Sequence, residues 1–73
     1  MPTVSGREAV RALRRAGYVP DRQKESHIVL RREMPPHRRV VVLDHDSVAK
    51  RTLRAILREA GITVAEFVAL LES

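Results

Sequence analysis

A chain of 73 residues without cysteine has no disulfide to draw on, and so thin a core must be completed by close packing or by association. The 14 Lys and Arg against 9 Asp and Glu leave a net charge of +5, which favours anionic partners, nucleic acid first and membrane surfaces second. No apolar run approaches the roughly 18 residues of a membrane span. The start of the sequence lacks the charged-then-apolar order of a signal peptide, so a cytoplasmic protein is expected.

The first element is a helix. Ser5 and Glu8 have the spacing of a capping box, and Val4 is placed to staple onto Ala9, which predicts a helix from about Gly6 that ends at Gly17. Ala9, Val10, Leu13 and Ala16 fall on one stripe, while Arg7, Arg11, Arg14 and Arg15 recur on another. A solvated surface accounts for such a charged face; the arginine fork, which suits phosphate as lysine does not, gives it a functional reading as well.

Strand signals follow. Pro20-Asp21 marks irregular backbone, leaving a short strand at about Asp21 to Lys24 or one straddling Pro20. Ser26 to Glu33 is rich in β-branched residues, Met34-Pro35-Pro36-His37 reads as a turn, and Arg38 to Leu43 contains Val40-Val41-Val42. These two runs form the most convincing hairpin. Alternation places Ile28 and Leu30 on one face and His27, Val29 and Arg31 on the other. If helices cover the Ile28 and Leu30 face, His27 and Arg31 share the open one.

After Asp44-His45-Asp46 a second helix is expected, with Ser47 as its cap and Ala49, Leu53, Ile56, Leu57 and Ala60 as its buried stripe, closed by Gly61. On its other side Lys50, Arg54 and Arg58 stand four apart in a second cationic ladder. Thr63 and Glu66 make another capping box, opening a short final helix with Val64, Phe67, Val68 and Leu71 on one side and Leu70 off it. No repeat or linker divides the chain, so one α+β domain over residues 1–73 is expected.

Three pieces in order carry a resemblance across nearly the whole chain. They are the helix ending in Gly17-Tyr18, the Arg22-Gln23-Lys24-Glu25-Ser26-His27 segment, and the run from Lys50 to Thr63. Together they resemble the HicA family of small toxins from bacterial and archaeal toxin–antitoxin systems, which are mRNA interferases. The resemblance implies a double-stranded-RNA-binding-like fold: helix, three strands and helix, with the helices on one face of a small antiparallel sheet. Here a short additional C-terminal helix would follow. It implies that His27, the histidine of the Ser-His step, is catalytic, and that the partners are mRNA and a HicB-family antitoxin that masks the His27 surface. Where the family commonly has glycine before Ser-His, this chain has Glu25; a glycine there would let backbone approach a ligand, and the Glu25 carboxylate would repel a nearby phosphate. Arg51 and Leu43 likewise replace a frequent glycine and proline.

The chemistry is within reach of so small a chain. In RNA the ribose 2′-OH supplies the nucleophile, so the protein needs a proton acceptor, a proton donor and cations near the phosphate. Histidine, with an ordinary pKa of ~6.5, exchanges protons near neutral pH. His27 is thus the candidate general acid or base. Lys24 and Lys50 are candidates to hold the scissile phosphate, Ser26, Arg31 and Arg54 further RNA contacts, and His45 a secondary candidate. No cofactor or metal is expected, because Asp44, His45 and Asp46 are adjacent and diverge on extended backbone, and acids before a helix are favoured in any case.

Two other classes compete. Leu53 to Leu71 has the outline of a helix-turn-helix DNA reader. Its second helix, however, would carry Glu66 and Glu72 and no Lys or Arg, while all 14 basic residues precede it. A non-catalytic RNA-binding module of the same fold is the stronger alternative; with Tyr18 and Phe67 the only aromatics, base stacking would contribute little to it. Self-association remains one way for the thin core to gain burial.

Overall fold

The computed structural model describes residues 3–73. Ser5 opens helix α1 (Gly6–Arg15) through the expected capping box. Its hydroxyl accepts from the Glu8 N–H, and the Glu8 carboxylate accepts from the Ser5 N–H, each at 3.1 Å. The helix buries Gly6, Ala9, Ala12 and Leu13, while Val10 and Ala16 pack partly against the core. Gly6 is there for closeness, since a Cβ at this position would lie 2.0 Å from the Leu43 carbonyl oxygen. Only a bare α-carbon lets the start of α1 rest on the end of the last strand.

The sheet is a meander of β1 (Tyr18–Lys24), β2 (His27–Arg32) and β3 (Arg39–Leu43), antiparallel and in spatial order β1-β2-β3. β1 takes the second of the two courses the sequence offers, straddling Pro20 and starting at Tyr18, with a bulge that leaves Asp21 unpaired between Pro20 and Arg22. The tightest hairpin is therefore β1–β2, whose turn is only Glu25 and Ser26, with Lys24 paired to His27. In the longer β2–β3 connection, His37 Nδ1 donates to the Arg32 carbonyl at 3.1 Å.

Helix α2 (Lys50–Ala60) corrects two expectations. Ser47 is not its cap. The N-cap position falls at Ala49, which has no side chain to accept a hydrogen bond, because Val48 is held back in an isolated β-bridge to Val4 with its N–H donating to the Val4 carbonyl at 2.7 Å. For the same reason Ala49 is exposed and not on the buried stripe, which consists of Leu53, Ile56, Leu57 and Ala60. Gly61 ends α2 with φ +75°. The buried Tyr18 hydroxyl donates to the Ala60 carbonyl at 2.7 Å, satisfying one of the helix's last acceptors.

The capping box of Thr63 and Glu66 opens α3 (Val64–Glu72), of which Phe67 alone is fully buried. α3 packs mainly on α1, and Arg15 of α1 donates to the Leu70 carbonyl at 2.7 Å. Leu13, Tyr18, Leu30, Val40, Val42, Leu53, Leu57 and Phe67 form the centre of one hydrophobic core. Every helix thus lies on the Ile28 and Leu30 side of the sheet, in the double-stranded-RNA-binding-like layout, and the other side faces solvent.

Candidate functional site

Antiparallel pairing puts directly opposed residues on one face, so the register fixes what the open side of the sheet presents. Three rows cross it from β1 to β3. The first is Lys24, His27 and Leu43; the second Arg22, Val29 and Val41; the third Val19, Arg31 and Arg39. His27 stands at the centre of the first row, exposed, with Lys24 opposite it across the two-residue turn. Ser26 lies within that turn, and its carbonyl accepts the Asp44 N–H at 2.7 Å.

Of the residues singled out in the sequence, Lys24, Ser26, His27 and Arg31 are therefore brought together along β2 and its turn. Arg22 and Arg39 were missed, although they belong to the same face. Their signal was a period of two from Lys24 and from Val41, legible only once the pairing of β1 and β3 with β2 had set the register. Four cations share this face, and Asp21 answers one of them: its carboxylate lies 3.7 Å from Arg39, joining the outer strands across β2.

Lys50 and Arg54 lie elsewhere, on the exposed side of α2 in the helical layer, and no strand register ties them to His27. Lys50 begins a helix whose first turn has no acidic residue and no side-chain cap, so its free N–H groups and the charges of Lys50 and Arg51 all favour an anion. His45 is exposed, and its carbonyl accepts the Gly6 N–H at 2.8 Å. Among the described residues no three His, Asp or Glu side chains converge as a metal site, and no helix is long and apolar enough to cross a membrane.

The arginine ladder of α1 is partly spent on the fold. Arg7 pairs with Asp44 at 3.4 Å, and Arg15 ties α3 through Leu70. Arg11 and Arg14 remain exposed on the helix surface.

At the turn, Glu25 has φ +56°, a left-handed conformation that glycine adopts without strain. The position before Ser-His thus calls for glycine because of backbone geometry, whatever a ligand requires. The Glu25 side chain stands exposed between Lys24 and Ser26.

A search of curated proteins gave no match, but the family model described as the HicA toxin of bacterial toxin–antitoxin systems matches residues 6–62. That span runs from the first residue of α1 to just beyond Gly61, taking in the whole sheet and α2. The chain belongs to the HicA family of toxins.

Proposed function

We propose that this toxin is an endoribonuclease that cleaves mRNA in the cytoplasm without a metal, with His27 as its proton-transferring group. The observation that carries the reading is the pairing of Lys24 with His27 on the solvent face of the sheet. In the step envisaged, the ribose 2′ oxygen attacks the adjacent phosphorus. A P–O2′ bond forms and the P–O5′ bond breaks, leaving a 2′,3′-cyclic phosphate and a 5′-hydroxyl. One proton leaves the 2′-OH and one reaches the departing O5′; His27 is positioned to take the first or give the second.

Charge builds on the phosphate oxygens during this step. Lys24, on the adjacent strand, is placed to offset it, with Arg22, Arg31 and Arg39 holding flanking phosphates along the rows. Ser26 supplies a hydroxyl in the turn, and Lys50 and Arg54 extend the cationic surface around the α2 side. The substrate's own hydroxyl is the nucleophile, so one 73-residue domain suffices for the chemistry.

One observation favours the alternative of RNA binding without cleavage: His27 is the only imidazole in the three rows, so the sheet face offers no second one. Induction of wild type and His27→Ala in a cell, with mRNA 5′ ends mapped, separates the two. The enzyme reading expects new 5′-hydroxyl ends and growth arrest with wild type only. Equal arrest by both proteins without new ends would support the binding module.

A further inference from the structure

Strand β3 has an open edge of unusual quality. The Arg32 N–H donates to the Arg38 carbonyl and the Asp44 N–H to the Ser26 carbonyl, so the even-numbered residues of β3 bond to β2. Arg39, Val41 and Leu43 turn their N–H groups outward. At Leu43 the carbonyl is taken by the His45 N–H at 2.9 Å and covered by Gly6, but Arg39 and Val41 have no backbone partner on that side among the described residues.

The opposite edge is blunted. On β1 the outward position at Pro20 has no N–H, and the Asp21 bulge bends the strand beside it. On β3 there is neither proline nor bulge, and Val41 is 46% exposed. Its face continues into Val29 and Leu43, both half-buried, and is rimmed by Arg39, Arg31, Arg22 and Lys24. An apolar strip bordered by cations next to unpaired backbone fits an extended, acidic peptide segment.

We propose that β3 is the docking edge for an acidic strand of the partner antitoxin, which adds to the sheet as its fourth strand. Its main chain pairs with Arg39 and Val41. Its side chains on the open side set an apolar group against Val41 and a carboxylate near Arg39, whose side chain is 63% exposed even with Asp21 beside it. A second copy of this chain would bring another net +5, with arginines meeting the same cationic face, so charge selects an acidic partner over self-pairing. The inference rests on membership of a toxin–antitoxin family and is independent of RNA cleavage.

The test is amide exchange of the wild-type chain, alone and saturated with its cognate antitoxin, together with antitoxin affinity for Val41→Pro and Val41→Ala. The Val41 amide is expected to exchange freely in the isolated chain and to become protected in the complex. Proline at 41 removes no ladder bond, so a folded circular dichroism spectrum is expected with affinity down about a hundredfold, while alanine, which keeps the N–H, costs less than about tenfold. A folded Val41→Pro that binds within about threefold of wild type, or a Val41 amide still exchanging freely in the complex, would overturn the proposal. So would protection that rises with the chain's own concentration, which would make a second copy the occupant.

Discussion

Lys24 and His27 face each other across the two-residue turn between β1 and β2, on the side of the sheet that no helix covers. If the ammonium offsets charge at the phosphate during cleavage, Lys24→Ala lowers the cleavage rate about 10- to 100-fold. As Lys24 is exposed, its loss changes stability by less than about 0.5 kcal/mol. Gln23→Ala, one residue earlier and on the opposite face, is the matched control and is expected to cleave as wild type. Single-turnover cleavage of a labelled RNA, with a thermal melt of each variant, reads both effects.

Replacing the strained residue of that turn should help the fold. Glu25→Gly relieves a left-handed backbone and is expected to stabilise the chain by about 1 kcal/mol, a rise in melting temperature of about 4–8 °C. It also removes a carboxylate from beside Lys24, so RNA affinity should rise, and rise more at low salt than at high. Melting curves and binding at two ionic strengths check the two parts separately.

The start of α2 gives a sharper comparison. With Ala49 at the N-cap, Ala49→Asp supplies the missing acceptor and a favourable charge, and about 1 kcal/mol of stabilisation is expected. Ser47→Ala, at the position the sequence nominates, should stay within about 0.5 kcal/mol of wild type. Chemical denaturation of both variants decides it.

These two sites show where sequence reading succeeds and where it stops. Both capping boxes were legible because their partners lie three residues apart, and the open face of β2 was legible because alternation of His27, Val29 and Arg31 is local. The N-cap of α2 was not, since the bridge between Val4 and Val48, 44 positions apart, delays the helix by two residues. Nor was the presence of Arg22 and Arg39 on that open face, which depends on pairing between strands. The ladder on α1 reads as one uniform face in sequence, yet Asp44 and Leu70 claim two of its arginines through tertiary contacts.

Acid should loosen α1. The hydrogen bond from the Ser5 backbone N–H, then that from its hydroxyl side, holds the Glu8 carboxyl below its ordinary value of 4.5. A carboxylate depressed in the folded state contributes stability that is fully present above 4.5 and is lost as pH falls through the lower, folded value. Glu8→Gln keeps a side chain at the box but does not titrate. The difference in melting temperature between wild type and Glu8→Gln is therefore expected to hold steady from neutral pH down to about 4.5 and to shrink below it.

The central claim is tested most directly by incubating purified wild type and His27→Ala with end-labelled mRNA in EDTA, and resolving the products and their termini on one gel. The expected result is cleavage by wild type alone, leaving 2′,3′-cyclic phosphate ends, while His27→Ala still binds the RNA. Cleavage by His27→Ala at the wild-type rate, or intact RNA with a wild-type protein that demonstrably binds it, would contradict the account.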